Sequence, residues 1–322
     1  MLSLRRGRVS TVNDRVSGLV RLEVDGEPCI AFPRLTGPIA VGDEVVVNHQ
    51  ARELGLGSGG FDILHVNLTR GLGLPTREGA HVMTLPYTPI QQAVRHAEEA
   101  GLGETLDGTP VVCCSLHSQL VPVCAALEGL RVVYVQLAGG ALPVSLSDAV
   151  RALRERGLVE VAVAASPCFD GDVQCVNVAS ALAWSGEYDA VVCAVGPGIV
   201  GTASSLGHGG VAAAEAANHA SALGGVPVLA ARVSQHDPRE RHRGVSHHSR
   251  ALLRLCLAPV RVAWPAGLEP PSWLDGYDEL DATGWRAACQ GLPLSHMGRG
   301  PDDDPAFFEA AFAAGVLARS LV

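Results

Sequence analysis

The spacing of hydrophobic residues changes along the chain, near residue 86. Before that point, short runs of alternating apolar and polar residues are separated by Gly, Pro and Asp, as is typical of strands joined by tight turns. This pattern predicts a small β-barrel or sandwich over residues 1–86. The strand candidates are residues 7–12, 18–24, 28–33, 43–48, 61–68 and 80–85.

After residue 86 the pattern predicts a second domain, residues 87–322. Residues 90–100 have helical spacing, and apolar runs of strand length then alternate with segments of helix length. Continuous apolar strands separated by helices indicate a mostly parallel, doubly wound, Rossmann-like α/β sheet covered on both faces. The predicted strands are residues 111–114, 132–137, 159–165, 190–195, 226–231 and 260–264, and the predicted helices are 119–127, 146–156, 174–184, 211–223 and 248–257. Residues 265–304 look irregular, and residues 305–321 predict a closing amphipathic helix.

The amino-acid composition excludes or disfavours several classes of function. The chain contains 24 arginines and no lysine. This excludes a P-loop lysine, a Schiff-base lysine and a lysine that acts as a base. The net charge of −9 argues against generic binding to nucleic acid, which needs an excess of cations. With 48% hydrophobic residues the chain can form a large core, and disorder is not expected.

Cysteine usage and the N-terminal sequence bear on location. The nine cysteines are odd in number, lie in apolar runs and form no Cys-x-x-Cys pair, which favours reduced, buried thiols over disulfides or a zinc knuckle. Cys113 and Cys114 precede Ser115 at a strand end, where a reactive thiol is the less favoured alternative to a structural one. No secretory signal and no run of membrane-spanning length is visible, so we expect a cytoplasmic protein without membrane contact.

Five predicted strands end in unusual loops, and parallel strands place their carboxyl ends at one sheet edge, where such folds bind ligands. One loop carries His117, two others carry Gly139-Gly140 and Ser166-Pro167-Cys168. The fourth contains Gly196, Gly198, Gly201 and Thr202, followed by His208. The glycine spacing matches a dinucleotide fingerprint, but the helix starts late and the expected acidic residue is absent. A flexible anion-binding loop is favoured, a structural turn comes next, and a nicotinamide-binding loop is least favoured.

The fifth loop, residues 232–250, concentrates four histidines and five arginines. Guanidinium groups of Arg239, Arg241 and Arg243 suit a phosphate or carboxylate. The histidines titrate near neutral pH, so they are candidates for acid–base catalysis or, with less support, for metal binding. A solvated surface loop is the remaining alternative, with Ser246 as N-cap of the next helix. The candidate catalytic residues are His242, His247, His248 and Asp237.

In the N-terminal domain, alternation over residues 64–68 predicts that His65 and Asn67 share one face of a strand. They either line a seam against the α/β domain and contact the ligand, or form the wet face of a sheet. The sequence does not choose between these two interpretations.

Several of these segments together resemble a bacterial family of unknown function. The resemblance is carried by GFDILHVNLTRGLGL at residues 60–74, GPGIVGT at 196–202 and DPRERHRGVSHH at 237–248. It covers nearly the whole chain and implies one functional unit, and it adds no activity. The family's acidic residue near Gly139 is absent here, which weakens a metal site at that strand end.

We therefore expect an enzyme, a hydrolase or transferase, acting on a small anionic, phosphorylated or nucleotide-like molecule at the carboxyl edge of the sheet. The alternatives are a non-catalytic protein that senses a nucleotide or metabolite, and an NADP-dependent oxidoreductase. A homodimer is one possible assembly. The sequence does not identify the cofactor, the metal, the substrate or the reaction.

Overall fold

The computed structural model describes residues 2–56, 59–76 and 78–322. It divides into two compact units, Met1–Val94 and Arg95–Val322. The sequence placed this division eight residues earlier, between residues 86 and 87. The two units are described separately.

The first unit is a closed five-stranded barrel, as the alternating pattern predicts. Strands follow one another around it in the order β1-β2-β3-β5-β4. Alternate residues such as Val45 and Val47 point inward, and they pack with Leu22, Val24 and Leu64 in a single core. The elements of this unit are β1 (Leu4–Val16), β2 (Leu19–Val24), β3 (Glu27–Ala31), α1 (Pro33–Thr36), β4 (Glu44–Asn48), α2 (Gln50–Glu53), β5 (Asp62–Asn67), β6 (Val82–Thr84) and β7 (Gln92–Val94).

The predicted helix over residues 90–100 is wrong. This segment contains β7, which pairs antiparallel with β6, and a single 3₁₀ turn at Ala97–Ala100. Val94 and His96 are buried and Arg95 is exposed, so the period over these residues is two rather than 3.6. Pairing with β6 stabilises the extended form over the helix that the spacing suggested.

The second unit contains an eight-stranded sheet in which all strands are parallel, with the order β11-β10-β9-β12-β8-β13-β16-β17. All six predicted strands are present. The sheet strands are β8 (Pro110–Cys114), β9 (Val132–Leu137), β10 (Val161–Ala165), β11 (Val173–Cys175), β12 (Ala190–Val195), β13 (Val226–Ala230), β16 (Arg261–Pro265) and β17 (Asp278–Leu280). A separate hairpin joins β14 (Val233–Ser234) to β15 (Gly244–Val245).

Two strands of the sheet were not predicted. β11 occupies the start of the segment predicted as helix 174–184, and β17 lies in the stretch predicted to be irregular. Each has only three residues and extends one edge of the sheet, so neither carries a long enough apolar run to show in the sequence.

Helices cover both faces of this sheet, as expected for a doubly wound fold. Strand residues alternate between two cores: Val112 and Cys114 face one, while Val111 and Cys113 face the other. The first core takes side chains from α3, α4, α8 and α9, and the second takes them from α5, α6 and α7 and from two alanines of α9. These helices are α3 (Leu120–Ala126), α4 (Asp148–Glu155), α5 (Val178–Trp184), α6 (Ala212–Ala222), α7 (His247–Leu255), α8 (Trp285–Ala288) and α9 (Pro305–Arg319).

The closing helix α9 differs from its prediction in one respect. It is not amphipathic, because eleven of its fifteen residues are buried. The helix packs against α3 and beneath the central strands, and Gly315 lets the α3 backbone approach: a Cβ there would lie 2.4 Å from the Val123 oxygen. Within the described residues, no helix combines the length and apolar character that crossing a membrane requires.

Candidate functional site

Glycines let the loop that follows β9 pack closely against the loop that follows β12. A Cβ on Gly139 would lie 2.5 Å from the Gly209 oxygen, and one on Gly140 would lie 2.1 Å from the Gly196 oxygen. Such approaches exclude any side chain. Gly201 forms a β-bridge with His208, so the glycine-rich loop folds back on itself before α6 begins at Ala212. Close packing between loops therefore accounts for much of this glycine pattern.

Four histidine rings, one of them from that loop, pack against one another. His208 and His248 lie face to face, with ring centroids 3.6 Å apart. The ring of His247 is 4.6 Å from that of His248, and the ring of His242 is 4.8 Å from that of His247. The glycine-rich loop supplies the first of these residues. The other three come from the segment that leaves β13, passes through the β14–β15 hairpin and enters α7.

An ion-pair network lies beside the rings. The carboxylate of Asp237 is fully buried and accepts from Arg239 in a two-point contact at 2.9 Å and from Arg299 at 3.1 Å. Arg232 approaches it at 3.5 Å. Arg299 also donates to the buried Asp304 at 3.2 Å. We call the following residues the histidine–arginine cluster: His208, Arg232, Asp237, Arg239, His242, His247, His248, Arg299 and Asp304.

The local sequence explains how the cluster is held. Ser246 caps α7 by accepting from the His248 amide, as the sequence predicts, and its hydroxyl also pairs with Nδ1 of His242 at 2.7 Å. The backbone amide of Arg232 donates to the Ser249 hydroxyl at 2.8 Å. One short helix start therefore fixes residues from three parts of the loop.

The imidazoles of the cluster are kept neutral. Burial, followed by the charge of Arg232, lowers the pKa of His248 to about 2 and that of His242 to about 3. Burial also lowers the pKa of His208 and of His247. Neutral imidazoles present a lone pair, so they can accept a proton, accept a hydrogen bond or bind a metal.

Three nitrogens of the cluster have no partner in the described part of the chain: Nδ1 of His208, Nε2 of His247 and Nε of Arg232. In His208 the other nitrogen, Nε2, faces the Ser205 carbonyl oxygen at 3.2 Å and must donate to it. The lone pair on Nδ1 is therefore unused. Buried polar atoms normally have partners, so each of these three atoms is an exception.

The charges of the cluster disfavour a metal ion. Nitrogens of His208, His247 and His248 lie within 4.8 Å of one another, near enough to bind one ion after a small adjustment. However, the guanidinium of Arg232 already donates to Nδ1 of His248 at 3.1 Å, and Arg239 and Arg299 lie close to the same carboxylate. A divalent cation would be repelled by these charges.

A pocket of about 370 Å³ opens at the same sheet edge, between the loops that follow β8, β9 and β12. Its wall contains His117, whose Nδ1 lies 3.1 Å from the Val195 oxygen and whose Nε2 lies 2.6 Å from the Ser147 hydroxyl. It also contains His296, which stacks on Phe307 with centroids 3.7 Å apart. Burial first, then the charge of Arg232, lowers the pKa of His296 to about 3.

The structure brings some of the predicted residues together and leaves others apart. His208, His242, His247, His248, Asp237 and Arg239 share the cluster, whereas His117, Gly196 and Gly198 line the pocket. Arg241 and Arg243 are exposed on the loop that follows β13.

Gly201 and Thr202 are exposed as well. The Thr202 hydroxyl forms hydrogen bonds within its own loop, to the Ser204 hydroxyl and to the Gly207 carbonyl oxygen. Cys113 and Cys114 are buried, and burial raises the pKa of both thiols.

His65 and Asn67 do not share one face of β5. A bulge opposite Val46 and Val47 interrupts the alternation, so Asn67 is fully buried while His65 is half-buried. The Asn67 amide donates to Pro38 and Asp43 and accepts from two backbone amides of its own turn. It therefore braces the barrel.

Several residues of these two sites were not predicted, among them Ser147, His296, Arg299 and Asp304. Arg232 lies between β13 and β14, and its burial distinguishes it from the exposed Arg241 and Arg243 of the same loop. His296 and Arg299 lie in the stretch that looked irregular, where nothing in the spacing indicates that the chain returns to this sheet edge.

Fold and site together define a protein with a small barrel and a doubly wound α/β unit that contains a buried histidine–arginine cluster. The chain belongs to the family described as "Protein of unknown function (DUF3866)", which matches residues 28–274. The match includes most of the cluster and ends before Arg299 and Asp304. No curated protein matches the chain.

Proposed function

We propose that this protein is an enzyme that acts on a small anionic substrate, phosphorylated or nucleotide-like, at the carboxyl edge of its parallel sheet. The buried guanidinium of Arg232 carries this proposal. The residue is 2% exposed, and its Nε has no acceptor in the part of the chain that the structure describes. Its nearest carboxylate, on Asp237, is 3.5 Å away and is shared with two other arginines. A buried cation with so little compensation favours a bound anion.

The balance of charge in the cluster supports the same conclusion. It holds three guanidinium groups, on Arg232, Arg239 and Arg299, against two carboxylates, on Asp237 and Asp304. The four histidines add no charge while they are neutral. A net positive, largely buried site suits a phosphate, because guanidinium groups can give it several charge-assisted hydrogen bonds.

The geometry suggests a division of roles. Asp237 is a positioning residue, because it holds Arg239 and Arg299 in place. His247 is half-buried with a free Nε2, so it is the best placed of the histidines to transfer a proton to or from a substrate. The exposed Arg241 and Arg243 are available to attract an anion towards the loop.

Two alternatives use the same residues differently. A non-catalytic sensor of a nucleotide or metabolite needs the arginines for binding but does not need His247 to transfer a proton. An NADP-dependent oxidoreductase needs glycines that approach a pyrophosphate at a helix start. Here Gly196 faces the backbone of Ala141, and α6 begins eleven residues after Gly201, so the oxidoreductase has the weaker support.

The test measures binding and turnover separately. Inorganic phosphate, pyrophosphate, ADP and NADP⁺ are each titrated against the protein while its thermal unfolding is followed. We expect the phosphate compounds to raise Tm, and the effect to be lost in Arg232→Gln but kept in Arg254→Gln, which removes an exposed arginine from α7 outside the cluster.

Turnover of any compound that binds is then assayed in His247→Gln. Loss of turnover with binding retained supports the enzyme, and binding without turnover in the parent protein supports the sensor. If none of the four compounds changes Tm, or if both arginine variants behave alike, the anion site is contradicted.

A further inference from the structure

A serine and a histidine in the pocket form a pair that the proposed anion site does not use. The hydroxyl of Ser147 lies 2.6 Å from Nε2 of His117, and both residues line the pocket of about 370 Å³. We propose that Ser147 is a nucleophile and His117 its general base, and that they hydrolyse an ester with a short apolar acyl group. This proposal does not depend on anion binding at the histidine–arginine cluster.

The direction of the hydrogen bond follows from the other side of the ring. Nδ1 of His117 faces the carbonyl oxygen of Val195 at 3.1 Å, and a carbonyl oxygen can only accept. Nδ1 therefore carries the proton, and Nε2 presents its lone pair to the serine hydroxyl. This is the tautomer that a general base needs, held by a backbone group at the end of β12.

The position of Ser147 favours an alkoxide. It is the N-cap of α4, where its oxygen accepts from the Val150 amide at 2.9 Å. An amide donor and the positive end of a helix both stabilise negative charge on that oxygen. The N-cap contact alone would be structural, whereas the base and the pocket on the same hydroxyl make a reactive serine.

The pocket supplies the remaining requirements. Leu116, Val121, Leu146 and Ile199 give it apolar walls that suit an acyl chain. Gly198 and Ile199 line it too, and in the described residues their backbone amides donate to no protein group. Amides of this kind can stabilise the oxyanion that forms when an ester is attacked.

The reaction proceeds in two balanced steps. The Ser147 oxygen forms a bond to the acyl carbon while its proton moves to Nε2 of His117. The carbon–oxygen bond to the leaving alcohol then breaks, and the alcohol takes that proton. Water then attacks the acyl carbon while one of its protons moves to the same nitrogen. The bond from that carbon to the Ser147 oxygen breaks, the oxygen takes the proton back from Nε2, and the carboxylic acid leaves.

The experiment uses the full-length protein, a fluorophosphonate probe, and the p-nitrophenyl esters of acetate and butyrate. We expect one modified serine, identified as Ser147 by mass spectrometry, and steady release of p-nitrophenol. Ser147→Asn keeps an oxygen for the helix cap but has no hydroxyl, so labelling and ester hydrolysis should fall at least 100-fold. His117→Asn can still donate to Val195 but cannot act as a base, and a fall of about 100-fold is expected.

Ser180→Ala is the matched control, because it removes a serine from the start of another helix, α5. It should react as the parent does. Absence of labelling in the parent, or equal labelling and hydrolysis in Ser147→Asn, would show that Ser147 is only a helix cap. Because phosphate binding is measured independently of ester hydrolysis, failure of one proposal leaves the other standing.

Discussion

Arg232 donates a hydrogen bond from Nη1 to Nδ1 of His248 over 3.1 Å, with both side chains buried. A guanidinium has only donors, so Nδ1 of His248 must accept and the ring proton lies on Nε2. Protonation of His248 would break this bond and place two cations side by side. Burial, together with Arg232, lowers the pKa of His248 to about 2 for this reason, and the neutral ring is a property of the fold.

The first prediction is that the protein loses stability in mild acid. Burial is the main cause of the low pKa of four histidines: about 4 for His117, about 3 for His242 and His296, and about 2 for His248. In the unfolded chain these residues titrate near 6.5. Stability is therefore fully present above pH 6.5 and falls as the pH decreases, because only the unfolded chain takes up protons. Between pH 7.5 and 5.5 the loss is roughly 1 kcal/mol per histidine.

Urea unfolding at a series of pH values measures this slope. His248→Gln removes one of the four groups and should flatten the slope, whereas His81→Gln, which changes an exposed histidine of the first unit, should not. A free energy of unfolding that stays constant from pH 7.5 to 5.5 would contradict the prediction.

The second prediction concerns the carboxylate that three arginines share. Asp237→Asn removes a buried negative charge and leaves Arg232, Arg239 and Arg299 without their common partner. Removing one member of a buried ion pair costs about 3–5 kcal/mol. We expect a loss of this size in urea unfolding, and added sulfate should recover part of it because an anion can replace the lost carboxylate.

Glu240→Gln is the control for this substitution. It removes an exposed acidic group three residues away, so we expect a change in unfolding free energy below about 0.5 kcal/mol. If the two variants are equally stable, the ion-pair network does not hold the loop together.

Much of the fold could be predicted because it depends on periodicity. Every apolar run of strand length in the second unit, from residue 111 to residue 264, became a strand of one parallel sheet. Alternation likewise predicted the five barrel strands. The prediction is wrong where contacts between distant segments determine the structure. β7 is stabilised by pairing with β6, and β11 and β17 are edge strands of only three residues each.

The site was harder to predict, because its residues are joined by contacts between distant segments. The loop composition indicated His242, His247 and His248, and the rule that parallel strands end at one edge indicated His208. The role of Arg232 depends on its burial, and that of Arg299 on a segment which returns to this edge after β17. Ser147 lies inside the helix that the sequence predicts over residues 146–156, and its distance to His117 is what distinguishes it.

The third prediction tests whether the glycines at the sheet edge are needed for packing. Gly139 has a φ of 137°, and a Cβ on it would lie 2.5 Å from the Gly209 oxygen. Gly139→Ala should therefore lower Tm by several degrees, because a backbone-to-backbone contact cannot yield. Gly276→Ala, at a glycine that has open space and no unusual φ, should change Tm little. Equal Tm values for the two variants would mean that the loops can separate without cost.

The fourth prediction is that an anion binds together with protons. Nδ1 of His208 and Nε2 of His247 have no partner in the described residues, and burial lowers the pKa of both rings. A bound anion would favour their cationic forms and raise both pKa values towards neutrality. By linkage, the protein should then take up protons on binding, and its affinity for the anion should rise as the pH decreases.

Sulfate is the suitable probe, because its own charge is constant between pH 8 and 6. Calorimetric titration in two buffers of different ionisation enthalpy gives the number of protons taken up. His247→Gln should reduce this number, while His81→Gln, at an exposed histidine of the first unit, should leave it unchanged. An affinity for sulfate that is the same at pH 8 and pH 6 would show that the histidines do not take part in binding and that the arginines act alone.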